Sequence, residues 1–544
     1  MKHKIKTSAP PELRLERCDI VVETGAQFLV LSFPTLSGRQ ECRLPREKLT
    51  DHRKVEAEIT RYGSLPISDL KARCVELLME TPPKTTRTTG VTGWYGKALV
   101  TRSGTYGQVD SADPIQFEPT NAAARGPGKK KSRSLWKAEV REVMGASTYL
   151  TFFVTAGLAP ALADYIGRTG AYAFALSQLS SVGKSLTSRA VQSVSRAANE
   201  TDLETLNKTD GKAVQSLLAF GGECVAFGDI KSSPLKGREL VLHLQTVVFG
   251  AYDGSQRQTL ASIVAPNPRF SILLLTAERP IRDLFESAKV PFEDGDAVRL
   301  IDIPVPDRSA GGIFDMPSTR APVELARDTD QAISRCYGTS LPRWAARLAA
   351  LDPEQLSERV TELEQQFIAS LGPLDPLEAR LAKPFALVAA VGVLAARTRT
   401  LPCSKAQVLG AARLMFNRAR SRLERSPVEM QHSWHVTLRN VAETLPRATA
   451  GTAADPVACT QGFVRKVDGR DFVYLREEVL LRIAGSREEL RLRMLADLEA
   501  AGVLKRYKGG GFSTPTAQKG LARRRYSRLD MAKLMKVGSF GEKA

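Results

Sequence analysis

The stretch QLSSVGKSLTS, residues 178–188, decides how the centre of this chain is interpreted. It ends as a phosphate-binding loop does: the usual pattern is G-x-x-x-x-G-K-[ST], and Gly183, Lys184 and Ser185 supply its last three positions. Gln178 stands where the pattern has its first glycine. The stretch therefore leaves three interpretations: a working nucleotide site, a degenerate one, or a chance match.

The flanks of the stretch favour a real site. A phosphate loop needs a strand before it and a helix after it, because backbone N–H groups and the helix N-terminus bind the phosphates. Residues 172–177 are apolar and predict a buried strand, and residues 184–198 predict a helix. A side chain at position 178 is tolerable if its φ angle stays negative. The residues expected to bind ATP are Ser180, Ser181, Gly183, Lys184 and Ser185.

Two of these residues have defined expected roles. We expect Lys184 to reach the β- and γ-phosphates and the Ser185 hydroxyl to ligate Mg²⁺. Gly183 allows the backbone to approach the phosphates closely. ATP and Mg²⁺ are thus the predicted cofactors.

Three further apolar stretches, residues 224–227, 270–275 and 300–305, alternate with helical patterns and predict a mostly parallel α/β sheet.

ATP hydrolysis also needs an acid at the end of a neighbouring strand, where two acids usually stand. Here Asp229 is the single candidate, and it either serves the metal or polarises the water. Thr276 ends the third strand and is the candidate γ-phosphate sensor. Arg299 precedes the fourth strand and is the candidate arginine finger acting on a neighbouring subunit.

Composition limits the class of protein. The 544 residues are enough for three or four domains, and the net charge of +19 favours a polyanionic partner such as nucleic acid. Seven cysteines without a C-x-x-C pair indicate reduced thiols in a cytoplasmic protein. The basic N-terminus lacks the apolar core of a signal peptide. Residues 149–163 predict a buried helix and not a membrane span, because the run is short and contains Gly157 and Pro160.

Changes in pattern predict a multidomain α/β protein of five parts. These are a β-rich N-terminal domain (1–115), a basic flexible linker (116–134), an ATPase core with a parallel sheet (135–324), a helical region (325–450) and a basic winged helix (451–544). The first part is expected to contain a hairpin, 28–33 and 41–44 about a turn at 36–38, and a short strand pair around Ser103. The last part is expected to contain a helix over about 487–500 that stops at Gly502. Residues 501–544 carry eleven Lys or Arg against two Asp or Glu. Cations beside an aromatic suit a sugar-phosphate backbone. The predicted DNA contacts are Lys505, Arg506, Lys508, Arg523, Arg524 and Arg525.

From about residue 15 to its end, the chain resembles the family called domain of unknown function 927. The resemblance is carried by TGWYGKALV, LSSVGKS, the turn at 209–211, FGAYDGSQRQ, LLLTAERP, AVRLIDIPVP, CYG, PFALVAAVGVLAA and LEAAGVLKRYKGGGFSTPT. That family includes helicase-like ATPases of mobile elements, of the AAA+ type and related to minichromosome-maintenance proteins. The resemblance implies a P-loop AAA+-like core.

Position by position, the resemblance implies roles for several residues. Lys184 and Ser185 match the phosphate and magnesium residues. Asp229 falls on the second acid of the family's Asp-Glu pair and Gly228 on the first. Thr276 and Glu278 fall on its Ser-Thr-Gly-Glu segment, and Arg299 on its arginine before the closing strand.

Two functions follow. The first is an ATP-dependent DNA helicase or translocase, ring-forming and acting in the replication of a mobile element. The second is a nucleotide-binding DNA scaffold or regulator whose site no longer hydrolyses ATP, as Gln178 and Gly228 suggest. In both, DNA is the partner and no membrane is involved.

Overall fold

The computed structural model describes residues 12–110, 113–118, 130, 133–207, 213–214, 217, 220–253, 269–423, 427–449, 455, 458–484, 488–504, 506–507, 511–516, 519, 521 and 524–536. The chain forms two compact units, Met1–Arg422 and Leu423–Ala544. Most of the predicted linker, the turn at 209–211, Lys505, Lys508 and Arg523 lie outside the described residues.

The described residues of the first unit form three sheets. Their strands are β1 (Arg14–Val21), β2 (Gln27–Thr35), β3 (Gly38–Pro45), β4 (Thr85–Thr89), β5 (Gly93–Tyr95), β6 (Ala98–Thr101), β7 (Gly104–Gly107), β8 (Ile115–Phe117), β9 (Gly170–Ser177), β10 (Cys224–Asp229), β11 (Phe270–Ala277) and β12 (Leu300–Pro304). The described helices that accompany them are α1 (His52–Arg61), α2 (Leu70–Met79), α3 (Arg133–Gly145), α4 (Thr148–Ala156), α5 (Ala159–Tyr165), α6 (Lys184–Gln192), α7 (Gly237–Asp253), α8 (Ile281–Ser287), α9 (Asp294–Ala297), α10 (Pro322–Arg335), α11 (Ser340–Leu348), α12 (Pro353–Ala369), α13 (Pro376–Arg397) and α14 (Lys405–Arg420).

The N-terminal sheet has the strand order β3-β2-β1-β4-β8. The predicted hairpin is confirmed as β2 and β3, which pair antiparallel about the turn at Gly38. Alternate residues of these strands, such as Leu29, Leu31 and Phe33, join α1 and α2 in one buried cluster. The strand pair expected near Ser103 is also present, within the separate three-stranded sheet β5-β6-β7.

The central sheet is parallel throughout, with the order β10-β11-β9-β12. Its strands are buried on both faces, as continuous apolar runs in a parallel sheet predict. The four predicted strands are confirmed, with ends that differ by a few residues. The carboxyl ends of all four strands therefore share one edge, which is where open α/β sheets bind ligands.

Two predicted helices differ from the structure. The helix after β9 ends at Gln192 and not at residue 198, because the next carbonyls, of Ser193 and Val194, accept backbone hydrogen bonds from Gly338 and Leu341. The single helix predicted over 149–163 is instead two helices, α4 and α5, separated at Gly157.

Helices α10–α14 form the remainder of the first unit. Helix α13 is long and apolar enough to cross a membrane by length and composition alone, but 67% of its most apolar window is buried inside the protein. Such burial is what a core helix of a globular domain has. Phe385 of this helix packs against Phe152, Phe174 and Phe416.

The second unit contains a five-stranded sheet of order β13-β14-β15-β17-β16. Its elements are α15 (Pro427–Thr444), β13 (Arg447–Ala448), β14 (Gly462–Val467), β15 (Arg470–Arg476), α16 (Glu477–Ile483), α17 (Glu488–Ala500), β16 (Thr514–Thr516), β17 (Arg524–Asp530) and α18 (Met531–Lys536). The predicted helix ending near Gly502 is confirmed as α17, and Gly502 has the positive φ of a helix stop, +67°. Val473 and Leu475 of β15 pack with Met494 and Leu498 of α17 in its core.

Candidate functional site

The loop at residues 178–183 connects β9 to α6, as the sequence predicts. Ser181 and Gly183 have positive φ angles, +67° and +97°. A Cβ atom added to Gly183 would lie 2.6 Å from Ile313 Cγ1, so the loop and the segment after β12 are in close contact. Gly183 is required both by its φ angle and by this contact.

Gln178 fastens the start of the loop. Its side-chain amide donates to the Val305 carbonyl at 3.0 Å and to Asp307 Oδ1 at 2.9 Å, and its Oε1 atom accepts from the Leu179 N–H at 2.9 Å. Gln178 does not have a positive φ angle, which confirms that a side chain is tolerated there. The missing first glycine is therefore compatible with the loop conformation.

Lys184 is folded over the loop. Its ammonium group donates hydrogen bonds to the carbonyls of Gln178 and of Leu179, the latter at 3.0 Å, and the residue is only 6% exposed. Burial lowers the pKa of the Lys184 ammonium, and the negative charges of Asp229 and Glu278 oppose this shift. Ser185, by contrast, is exposed at the start of α6.

Asp229 ends β10 and accepts a hydrogen bond from the Lys231 N–H at 2.8 Å through Oδ1. The sequence placed this acid on a neighbouring strand of β9, but β11 lies between β10 and β9, because β11 pairs with both. Thr276, the candidate sensor, lies on that middle strand in register with Asp229. The Thr276 hydroxyl is buried and has no hydrogen-bond partner among the residues that the structure describes.

Glu278 follows β11 at the same edge. The Lys231 ammonium donates to Glu278 Oε2 at 2.8 Å, and this ion pair lowers the pKa of the Glu278 carboxyl. Only the family resemblance drew attention to Glu278, and nothing drew attention to Lys231. A general signal exists for both, since polar residues at the carboxyl ends of parallel strands share one edge.

Arg299 lies at the opposite edge of the sheet, where the amino ends of the parallel strands lie. It immediately precedes β12, whose first residue, Leu300, is opposite Ala173 near the start of β9. Its guanidinium lies 4.7 Å from the Phe249 ring centroid and 4.8 Å from that of Tyr252. The structure does not bring Arg299 to the loop of its own chain, so its expected action on a neighbouring subunit stays a prediction.

The end of β10 is held from outside the sheet. The Glu204 carbonyl accepts from the Gly228 N–H at 3.0 Å, and the Glu204 carboxylate accepts from Arg102 at 3.0 Å. Arg102 also donates to Glu223 at 2.8 Å, and both of these side chains are 1% exposed. Arg102 lies in the turn between β6 and β7, so the three-stranded sheet is directly connected to the strand that carries Asp229.

The residues at this edge fit a nucleotide with Mg²⁺. Magnesium in nucleotide sites keeps several waters and takes one or two carboxylates besides the phosphates. Asp229 and Ser185 supply oxygen donors of this kind, and Lys184 supplies a cation. The buried Thr276 hydroxyl lacks a hydrogen-bond partner in the part of the chain that the structure describes. Within the described ranges, no group of three or more His, Cys, Asp or Glu side chains could hold a metal ion by itself. The donor set thus suits a metal that arrives with phosphate.

Some described basic residues of the second unit form ion pairs or hydrogen bonds within the protein. Arg506 pairs with Glu499 at 2.8 Å, and Arg525 donates to Ser513 at 3.1 Å. Both keep about half of their side-chain surface exposed, and Arg524 is exposed. These three arginines are therefore accessible from solvent.

Sequence reasoning missed a cation–aromatic face on the sheet of the second unit. Arg465 is opposite Phe472, and Tyr474 is opposite Arg528, on three adjacent strands. The Arg465 guanidinium lies 4.8 Å from the Tyr474 ring centroid, and that of Arg528 lies 4.6 Å from Phe472. We call these four residues the sheet face. Tyr474 is only 2% exposed, whereas Arg465 and Arg528 are partly exposed, so the two arginines are the members of the sheet face that can contact a nucleic-acid backbone.

Comparison with known proteins adds two findings. Residues 17–210 match the family described as "Domain of unknown function (DUF927)". The matched segment is less than half of the chain, and it includes the N-terminal sheet, β9 and the loop at 178–183.

A solved structure described as "SCCmec type IV Cch - active helicase" has the same fold over nearly the whole chain. The match covers 97% of this chain and 95% of that one, with a TM-score of 0.56 and 14% sequence identity. Another, "The A form apo structure of NrS-1 C terminal region-CTR", covers 69% of this chain and 86% of that one at 9% identity. Its TM-score of 0.25 is too low to support an argument. No curated protein sequence matches the chain.

Proposed function

We propose that this protein is an ATP-dependent DNA helicase or translocase of a mobile genetic element. The proposal includes a P-loop AAA+ core of the minichromosome-maintenance type, a winged helix in the second unit and assembly into a ring. The observation that carries it is the loop at 178–183, which lies at the sheet edge that also holds Asp229 and Thr276. The shared fold with a protein described as an active helicase of an SCCmec element supports it.

The residues divide the work as follows. Lys184 would leave the loop carbonyls to bind the β- and γ-phosphates, and the Ser185 hydroxyl and the Asp229 carboxylate would hold Mg²⁺. Bound Mg²⁺ neutralises charge on the phosphates. Thr276 donates its hydroxyl to the γ-phosphate side of the site. Arg299 completes the site of the adjacent subunit, so assembly activates turnover.

A second function is favoured by one observation. Gly228 stands where the family resemblance leads us to expect an acid. A site without that acid would bind ATP without hydrolysing it, and this is what a nucleotide-responsive DNA scaffold needs. The steric surroundings do not require this glycine: a Cβ atom there would meet only the Glu204 carbonyl and Ser232 Oγ, each at 3.9 Å. The loss of the acid is therefore not forced by packing.

Strand displacement separates the two functions. The purified protein is incubated with a forked DNA duplex that carries a fluorophore and a quencher, with ATP and Mg²⁺ or with a non-hydrolysable analogue. If the protein is a motor, it displaces the strand with ATP and Mg²⁺ but not with the analogue, and Lys184→Ala abolishes the displacement. Binding of the fork without displacement under either condition would support the scaffold.

A further inference from the structure

A second carboxylate lies beside Asp229 at the edge of the central sheet. Asp229 ends β10, and its partner in the parallel register of β11 is Thr276. Glu278 comes two residues after Thr276. Because parallel strands end at one edge, Glu278 emerges next to Asp229 although the two are 49 positions apart in the sequence.

One lysine joins the two acids. The Lys231 backbone N–H donates to Asp229 Oδ1 and its ammonium donates to Glu278 Oε2, both at 2.8 Å. Asp229 and Glu278 both act electrostatically on the Lys184 ammonium of the loop. The two carboxylates and the loop lysine therefore belong to one site.

The site also contains an unmatched polar group. The Thr276 side chain is 1% exposed, and within the described ranges its hydroxyl has no hydrogen-bond partner. Buried hydroxyl groups in folded proteins nearly always have a partner. An unmatched hydroxyl in register with Asp229 is what a site built to receive a phosphate or a water molecule would contain.

We propose that Glu278 replaces the acid missing at Gly228 and acts as the general base of ATP hydrolysis, while Asp229 serves the metal. This inference rests on the proposed function. The oxygen of a water molecule forms a bond to the γ-phosphorus, and the bond from that phosphorus to the β,γ-bridging oxygen breaks. The electron pair of the broken bond leaves with ADP. The proton of the water passes to the Glu278 carboxylate and then to solvent.

Lys231 has to release Glu278 for this role. Its side chain is 71% exposed, so it can move into solvent without disturbing buried groups. The Glu278 side chain is 31% exposed, which leaves it accessible to water at the edge of the site. The ion pair thus holds Glu278 in place while leaving it available.

The test compares Glu278→Gln with Glu286→Gln, an exposed glutamate on α8. Two quantities are measured: ATP turnover, and the Mg²⁺-dependent affinity for a fluorescent ATP analogue. We expect Glu278→Gln to lower turnover by about 10²- to 10⁴-fold, the contribution typical of a general base, with unchanged affinity. Glu286→Gln should match the wild type in both.

A double variant moves the carboxylate from position 278 to position 228. A Cβ atom at position 228 would meet no heavy atom closer than 3.9 Å, so Gly228→Glu should recover part of the turnover when added to Glu278→Gln. No recovery, in a double variant that still binds the analogue, would contradict the proposal.

The outcomes distinguish this inference from the proposed function. Wild-type turnover that survives in Glu278→Gln would overturn the role of Glu278 and leave the motor intact. A Glu278→Gln variant that loses Mg²⁺-dependent binding would show a structural role instead. A wild type that binds ATP without turnover would overturn the motor, and the role of Glu278 with it.

Discussion

The buried pair of Arg102 and Glu223 makes the strand that carries Asp229 dependent on the three-stranded sheet. Both side chains are 1% exposed, and Arg102 binds Glu223 twice, through its backbone N–H at 3.2 Å and its Nε atom at 2.8 Å. Arg102→Ala would leave the Glu223 carboxylate buried without its cation. Removing one partner of a buried pair costs about 3–5 kcal/mol. We expect the local stability of β10, whose first residue Cys224 follows Glu223 directly, to fall by that amount.

Hydrogen exchange on peptides that cover β10 measures this effect locally, which matters because a chain of several units does not unfold in one step. A loss of 3 kcal/mol raises the opening equilibrium by about 10²-fold. Arg87→Ala is the control. Arg87 pairs with Asp113 at 3.0 Å, but both side chains are about half exposed, so the cost should be about 0–1 kcal/mol.

A double variant separates charge from packing. Arg102→Met with Glu223→Gln removes both charges but keeps an unbranched apolar side chain where the Arg102 guanidinium carbon lies 4.1 Å from the Phe220 ring centroid. It should therefore cost less than Arg102→Ala. Unchanged exchange in Arg102→Ala would refute the argument that this pair supports β10.

Two further predictions concern Arg299 and the sheet face. Arg299→Ala should lower ATP turnover by about 10³- to 10⁵-fold without loss of ATP binding. Mixing this variant with Lys184→Ala should restore part of the turnover, because some sites then combine an intact Lys184 with an intact Arg299 from the neighbouring subunit. No restoration in the mixture would contradict action between subunits. Arg465→Ala combined with Arg528→Ala should weaken the binding of single-stranded DNA, measured by fluorescence anisotropy. The slope of log affinity against log salt concentration should fall by about one unit for each arginine. An equal loss in the exposed control Arg447→Ala would show that only total charge matters.

Local features of the chain were predictable from the sequence. The mostly apolar run 28–33 and the turn at 36–38 identify β2 and β3, apolar runs identify β9 to β12, and the Gly-Lys-Ser sequence between a strand and a helix identifies the loop. Each of these signals depends on neighbouring residues alone. The division into five parts and the winged helix stay predictions.

Contacts between distant segments were not predictable. The sequence does not say that the amide of Gln178 meets Asp307, or that β11 lies between β9 and β10. Likewise, the pairing of Lys231 with Glu278 depends on strand order, and the sheet face depends on the register of β14, β15 and β17. These pairings come from tertiary structure, so single motifs carry no signal of them.

The most direct test of the central claim is ATP hydrolysis by the purified protein, with and without single-stranded DNA. Lys184→Ala is compared with Lys289→Ala, which changes an exposed lysine just after α8. We predict DNA-stimulated turnover in the wild type and in Lys289→Ala, and none in Lys184→Ala. Turnover that survives in Lys184→Ala, or no turnover in any of the three proteins, would contradict the account.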